Sequence, residues 1–107
     1  MVSIEQFKQL DFRVGKVLKA EPIEGAKNLY RLVVDLGERQ VQIVSGIKND
    51  YTSEDLEGKQ IIVAANLDPA KFRGVESQGM LLAATGESGE ISLLTTDREV
   101  KVGSKIS

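Results

Sequence analysis

Hydrophobic and polar residues alternate along two neighbouring segments of the chain. Apolar residues occupy every second position of residues 30–36, and residues 39–44 continue the pattern, with Val41 and Ile43 alternating with Gln40 and Gln42. A period of two is typical of strands that bury one face. Gly37-Glu38 separates the two segments and is suited to a turn. The pattern therefore predicts a β-hairpin, with Tyr30 on its buried face.

The segment before this hairpin, residues 11–20, has a strand-like composition but an interrupted pattern. Its apolar alternation slips between Val14 and Val17, across Gly15. A glycine at such a slip is typical of a bulge or a sharp bend. We therefore predict a long, curved first strand with a bulge or a sharp bend at Gly15 and with Phe12 on the inward face.

The remaining segments predict short helices, further strands and loops. Ser3-Ile4-Glu5-Gln6 has the spacing of a capping box, which predicts a helix or turn within residues 1–10. Thr52, the acidic residues after it and Gly58 predict one or two helical turns. Strands are further predicted at 59–67, at 80–84 and, as a final pair, at 91–94 and 100–106, and loops are predicted at 21–25 and 68–79.

Three strands, a short helix and two more strands follow the order of elements in a five-stranded OB barrel. No long helices separate the strands, which argues against a parallel doubly wound sheet. We therefore predict an all-β protein: a five-stranded OB-fold barrel with short helices and a C-terminal extension. Residues 1–107 form one domain, of which residues 85–107 are the extension.

The composition narrows the chemistry that such a barrel could perform. The 107 residues include no Cys and no His, and 14 Lys and Arg stand against 16 Asp and Glu, a net charge of −2. Thiolate metal sites and histidine-dependent nucleophiles are therefore excluded. The acidic residues 50–57 lack the pattern of a calcium loop and fit the solvated face of a helix. We expect no catalytic activity, no metal and no cofactor.

The apolar runs 61–65 and 80–84 are far shorter than the roughly 20 residues needed to cross a bilayer. The N-terminus lacks the basic and apolar regions of a signal peptide. We therefore expect a cytoplasmic protein that does not bind membranes. Its acidic net charge argues against indiscriminate binding to polyanions.

Several polar side chains fall in predicted loops or at strand ends, where binding residues collect. Their cationic, amide and hydroxyl groups suit contacts with phosphates and with ribose 2′-OH groups. They are Ser45, Asn66, Lys71, Arg73 and Ser77. Only two aromatic residues, Tyr51 and Phe72, fall in loops, so the sequence favours recognition of RNA shape and backbone over base stacking. The simpler alternative is that loops are polar for solvation alone.

Five ordered blocks cover nearly the whole chain. They are residues 10–17 (LDFRVGKV), 26–30 (AKNLY), 44–47 (VSGI), 65–74 (ANLDPAKFRG) and 76–84 (ESQGMLLAA). Together they closely resemble the tRNA-binding domain at the C-terminus of many methionyl-tRNA synthetases, which also occurs as a free-standing beta subunit or structure-specific tRNA-binding protein. Many members carry His-Pro where this chain has Ile23-Glu24, and Asp-Lys where it has Lys27-Asn28.

The resemblance implies an OB fold, a homodimer joined partly through the C-terminal extension, and binding to the outside of tRNA by shape. The RNA-contacting positions of the family map onto Ala26, Ser77 and Met80. Polar residues of the same blocks complete the candidate RNA-binding set: Lys27, Asn28, Ser45, Asn66, Lys71 and Arg73. The implied partners are tRNA and the catalytic subunit of methionyl-tRNA synthetase, whose affinity for tRNA the domain would raise.

One alternative function stays open at this point, and another is set aside unless turnover is observed. A member similar to the secretion-chaperone branch of the family would bind unfolded chains in an apolar groove, although the intact segment 77–80 favours the tRNA branch. A small hydrolase would need a pair of carboxylates, and nothing selects one pair among the 16 acids. Because the domain begins directly at Met1, we expect a free-standing chain.

Overall fold

The computed structural model describes residues 1–107 and contains two short helices and nine strands. In chain order these are α1 (Ile4–Lys8), β1 (Phe12–Pro22), β2 (Tyr30–Asp35), β3 (Gln40–Ser45), α2 (Ser53–Leu56), β4 (Gln60–Ala64), β5 (Ala70–Phe72), β6 (Val75–Ser77), β7 (Met80–Leu81), β8 (Ala83–Thr85) and β9 (Ile91–Leu93).

Five of the strands form one antiparallel sheet in the order β3-β2-β1-β4-β7. β3 and β7 lie close to each other, so the sheet curls into a nearly closed barrel. The arrangement confirms the predicted all-β fold with a five-stranded OB-type barrel. β5 pairs with β6, and β8 pairs with β9, as two separate hairpins beside the barrel.

The barrel interior is filled by apolar side chains in the predicted alternation. Leu32 lies opposite Ile43, and Val34 lies opposite Val41, in the antiparallel register of β2 and β3. All four side chains belong to one buried cluster. Tyr30 is also buried, as predicted, and its hydroxyl donates a 2.8 Å hydrogen bond to the Tyr51 carbonyl.

The irregularity in β1 lies three residues beyond its predicted place. The register between β1 and β2 shifts at Leu18, and not at Gly15. Gly15 is required for a different reason, because a Cβ atom there would lie 2.6 Å from Cγ1 of Val34. Of the two alternatives predicted at Gly15, the bulge is therefore wrong: a missing side chain and a bulge interrupt the apolar pattern in the same way.

Phe12 lies on the outside of the barrel, which corrects its predicted inward orientation. It pairs with Ala64, whose neighbour Val63 belongs to the core, so the alternation of β4 places Ala64 and Phe12 on the outer face. The Phe12 ring packs against Phe7, with 5.6 Å between the ring centroids. The N-terminal segment thus gives Phe12 an apolar neighbour outside the barrel.

The chain after β4 pairs differently from the prediction. Residues 68–79 are not a simple loop, because they contain the β5–β6 hairpin. Residues 80–84 are not one buried strand: they divide between β7 and β8, and only Leu81 among them is buried. β9 pairs with β8 instead of with residues 100–106, which form no strand. Strands of two or three residues are too short to show a period.

After β9, the C-terminal extension is irregular and folds back onto β1. Val14 N donates to the Ser104 carbonyl at 2.9 Å, Gly103 N donates to the Val14 carbonyl at 2.8 Å, and Ile106 N donates to the Phe12 carbonyl at 2.9 Å. These bonds occupy an edge of β1 that β2 leaves open, since β2 pairs only with Lys16 and the residues after it.

Both helices begin at the predicted caps. Ser3 Oγ accepts from Gln6 N at 3.1 Å, and the Gln6 side chain accepts from Ser3 N at 2.9 Å, which completes the capping box of α1. The Thr52 side chain caps α2. No residue of α1 is buried, so the helix and the residue two positions after it present apolar side chains, including Phe7 and Leu10, to solvent.

Candidate nucleic-acid interface

The β5–β6 hairpin carries two of the predicted cations at its tip. Its register pairs Lys71 with Glu76 and Phe72 with Val75, so only two residues form the turn. These are Arg73 and Gly74, with φ angles of 53° and 79°. Two successive positive φ angles are typical of a type I′ turn, which favours Gly and Asn and places a cost on arginine. We refer to residues 71–74 as the hairpin tip.

The base of the hairpin is held against β3 by hydrogen bonds. Gln42 Nε2 donates to the Glu76 carbonyl at 2.7 Å, and Gln78 N donates to the Gln42 carbonyl at 2.7 Å. The Gln78 side chain accepts from Gln42 N at 2.8 Å. Because these bonds fix residues 76–78, the tip projects from a rigid support.

Ser77 faces the protein and not the solvent. Only 4% of the residue is exposed. Its Oγ accepts from Val44 N at 3.0 Å and donates to the Gly79 carbonyl at 2.9 Å. Met80, by contrast, is 53% exposed although β7 begins there. The geometry thus gives Ser77 a structural role, while the Met80 side chain is free to contact a ligand.

Lys71 and Arg73 are exposed, and no carboxylate oxygen lies within 4.0 Å of either. Glu76 lies opposite Lys71 in the hairpin register and offsets part of its charge. Arg73, in the turn, has no residue directly opposite. The hairpin tip therefore ends in an unneutralised guanidinium group, which suits a phosphate.

The loop between β1 and β2 holds the second group of predicted residues. Asn28 Nδ2 donates to the Gly46 carbonyl at 3.0 Å, and Asn28 Oδ1 accepts from Asn49 N at 2.9 Å. Both polar atoms of this side-chain amide therefore join the β1–β2 loop to the segment after β3. Lys27 beside it is exposed, and Ala26 is partly buried.

Lys48 is a candidate that the sequence analysis missed. It lies in the segment that Asn28 holds, and its backbone N contacts the Asn28 carbonyl at 3.4 Å. Its position just after a predicted strand was the available signal, but charge in loops is common. Lys48 and Lys27 therefore place two cations in the segments next to the end of β3.

The end of β3 connects the two groups. Val44 binds Ser77 of the hairpin, Gly46 binds Asn28 of the β1–β2 loop, and Ser45 lies between them, partly buried. The hairpin, the end of β3 and the β1–β2 loop therefore form one continuous surface. We call residues 26–28, 45–48 and 71–80 the candidate interface.

Asn66 does not share this role. Its Oδ1 accepts from Asp11 N at 2.8 Å, and its Nδ2 donates to the Gln9 carbonyl at 2.7 Å. Both halves of the amide are used to tie the end of β4 to the segment before β1. Like Ser77, Asn66 is placed as a structural residue.

A series of hydrogen bonds between polar side chains crosses the outer face of the sheet from β1 to the hairpin. Arg31 donates to Glu21 Oε1 at 3.1 Å and to Gln42 Oε1 at 2.9 Å, and Gln42 in turn binds the hairpin. Lys19 Nζ lies 2.8 Å from the same Glu21 oxygen. The hydrogen bond and the positive charge of Lys19, with a further contribution from Arg31, lower the pKa of Glu21 below the ordinary pKa of a glutamate.

A separate cleft of about 400 Å³ lies where the C-terminal extension meets the start of β1. Three cations line it, but Asp11 neutralises Arg13 at 2.7 Å, and Glu38 lies nearby. None of the predicted RNA-binding residues borders it.

No group of three or more carboxylates converges anywhere in the chain, and neither helix has the length to span a bilayer.

Comparisons with known proteins identify relatives of this chain in sequence and in fold. The family model described as "Putative tRNA binding domain" matches residues 12–105. Methionine–tRNA ligase of Archaeoglobus fulgidus is 54% identical over 105 residues; the match covers 98% of this chain and 16% of the ligase. The chain thus spans about a sixth of the length of that relative.

Two solved structures superpose on the whole chain. The MetRS related protein from Pyrococcus horikoshii has a TM-score of 0.94 and 42% identity, with 98% of its length covered. The chaperone CsaA from Bacillus anthracis has a TM-score of 0.91 and 35% identity, with 99% covered. The same barrel, hairpins and extension are therefore similar to proteins with two different described roles.

Proposed function

Because the chain belongs to the tRNA-binding domain family, we propose that it binds tRNA through the candidate interface without catalysing a reaction. The observation that carries the proposal is the hairpin tip: an unneutralised arginine and a lysine held by a base with four hydrogen bonds to β3. Cations on a rigid support recognise a fixed arrangement of phosphates, which is recognition of shape.

The predicted residues divide into three roles in this proposal. Lys27, Lys71 and Arg73 contact phosphates, joined by Lys48, because long cationic side chains reach into solvent. Ala26 allows close backbone approach, and Ser45 and Met80 line the surface between the cations. Two short polar side chains hold the backbone that presents these cations, Asn28 and Ser77, whereas Asn66 ties the end of β4 to the segment before β1.

Binding measurements on tRNA, duplex RNA and single-stranded RNA test the proposal. We expect preference for tRNA and a log–log salt slope of about −2 to −5, which corresponds to a few phosphate contacts. Arg73→Ala should weaken binding by about 10- to 150-fold, the loss of one charge-assisted contact. Arg98→Ala is the matched control, because Arg98 is highly exposed in the extension and contacts only Asp97, at 3.6 Å. Equal effects of the two substitutions would contradict the proposed interface.

We also propose that two copies associate through the apolar surface of the N-terminal segment. Ile4, Phe7, Leu10 and Ile106 border a concavity of about 400 Å³, and the three N-terminal side chains among them are 38% to 65% exposed. Burying such a surface favours association. Sedimentation equilibrium should give a dimer, and Phe7→Ser should weaken it more than Leu18→Ser, a similarly exposed leucine on β1. A parent chain that sediments as an 11.7 kDa monomer would refute the proposal.

The cellular role that fits these properties is accessory to aminoacylation. We propose that the chain acts in the cytoplasm as the beta subunit or a terminal domain of a methionyl-tRNA synthetase and raises its affinity for tRNA. Two copies of the interface in a dimer would add avidity where one ligand reaches both. Steady-state aminoacylation with and without the chain should show a lower KM for tRNA when it is present.

A second candidate function is protein binding, favoured by the likeness to the chaperone CsaA. In that role, the exposed apolar residues of the N-terminal segment would contact unfolded chains instead of a second copy. Suppression of the aggregation of a denatured protein, measured beside tRNA affinity, separates the two functions. Suppression with no preference for tRNA would favour the chaperone.

A further inference from the structure

The hairpin tip carries an exposed aromatic ring as well as cations. Phe72 is 44% exposed, and it pairs across the hairpin with the partly buried Val75. The single aromatic pair in the molecule joins Phe7 and Phe12, so no other ring stacks on Phe72. Phe72 is also absent from the buried core cluster. Burial in the fold therefore does not account for this side chain.

We propose that Phe72 stacks on an unpaired nucleobase, so that the hairpin tip binds RNA where a base is turned out of the helix. The inference rests on the proposed tRNA binding and identifies the part of the RNA that the tip contacts. Aromatic rings bind bases of any identity in this way, because every base has a π-face.

Three features of the tip suit it to this contact. The two-residue turn makes the hairpin narrow, and the bonds to β3 hold it in place. Arg73 follows Phe72 directly in the turn, where its guanidinium group can reach a phosphate next to a stacked base, while Lys71 projects from the opposite face of β5 and adds positive charge to the tip. Arg73 is the one residue other than glycine with a positive φ, and such strain is often kept at binding sites.

The contact also explains how a chain with few aromatic residues could prefer folded RNA to duplex. In a continuous duplex, the faces of the bases are covered by their neighbours, and turning one base out has a free-energy cost. A tRNA already presents unpaired bases in its loops and at its end. Cations alone would bind the backbones of both RNAs, whereas a stacking ring favours the RNA with an accessible base.

Phe72→Trp gives a direct test, because the chain has no native tryptophan. We expect tRNA to quench the tryptophan emission of this variant and a fully paired, blunt-ended duplex of equal length to leave it unchanged. Phe72→Ala should weaken tRNA binding by about 5- to 150-fold, the range measured for loss of one stacked base. Phe72→Tyr should retain the parent affinity, and Leu94→Ala, which truncates another exposed apolar residue, is the control.

The possible failures are distinct. If labelled tRNA binds the parent and the Phe72→Trp variant while the emission does not change, the stacking inference is overturned and the proposed function stands. Equal affinities for Phe72→Leu and Phe72→Tyr would also overturn it, since leucine offers area without a π-face. If the parent does not bind tRNA, both the proposed function and this inference fall.

Discussion

Replacing Ser77 by alanine separates a structural role from direct contact with RNA. The substitution removes the Ser77 hydroxyl, which accepts a hydrogen bond from Val44 N and donates one to the Gly79 carbonyl where the hairpin packs against β3. Val44 is 9% exposed and Ser77 is 4% exposed, so water does not readily replace the lost bonds at the amide. An unsatisfied buried donor costs about 1–3 kcal/mol. With a urea slope of about 1.5–2 kcal/mol per molar, the unfolding midpoint should fall by about 0.5–2 M.

Urea unfolding followed by far-UV circular dichroism, at one fixed protein concentration, measures this loss. Ser92→Ala is the matched control, because Ser92 lies exposed on β9 and its hydroxyl has no hydrogen-bond partner in the protein. Its free energy of unfolding should change by less than about 0.5 kcal/mol. If Ser77→Ala behaved like the control in urea but lost affinity for tRNA, Ser77 would contact RNA directly, and the structural reasoning would be refuted.

Three further predictions concern packing, the turn and pH. Gly15→Ala should lower the free energy of unfolding by about 1–3 kcal/mol in urea, because the new methyl group would overlap Val34. Arg73→Gly should weaken tRNA binding in a gel-shift titration while leaving the unfolding free energy unchanged or raised by up to about 1 kcal/mol, because glycine relieves the positive φ; a loss of stability would contradict the strained turn. Because Lys19 and Arg31 lower the pKa of Glu21, its carboxylate stabilises the folded state above the unfolded pKa and loses this effect as the pH falls through the folded pKa. Glu21→Gln should therefore be less stable than the parent at pH 7 and equal to it at acid pH, and 1 M salt should shrink the difference at pH 7.

The β2–β3 hairpin was predictable because one of its faces is buried and the other is not. Leu32, Val34, Val41 and Ile43 repeat with a period of two, and a shift of one residue would expose them all. The sequence of β1 does not show this alternation clearly. Val14 is 1% exposed, although its partner Ile62 lies on the face opposite the core, because strands near the C-terminal extension are buried on both faces. Burial on both faces removes the alternation that periodicity detects.

The β5–β6 hairpin was missed for a different reason. Each strand has three residues, and the turn residues Arg73-Gly74 do not match the Asn-Gly or Asp-Gly signal of a type I′ turn. The hairpin is held by bonds to Gln42, which lies far away in sequence. Local pattern cannot report a structure whose stability comes from contacts of long sequence separation.

The candidate interface shows why residue type alone could not separate contacting residues from supporting ones. Asn28, Asn66 and Ser77 are as polar as a ligand-binding site requires, but their side chains are short and lie beside unpaired backbone groups at strand ends. Each is used by that backbone, at distances of 2.7–3.0 Å. Lysine and arginine have no acceptor group and extend past the backbone, so those of the hairpin tip remain available to a ligand. In a protein with a net charge of −2, binding to a polyanion then depends on a few cations held at fixed separations. Loosening the support should therefore reduce the preference for tRNA over single-stranded RNA, whereas removing one cation should weaken binding to both.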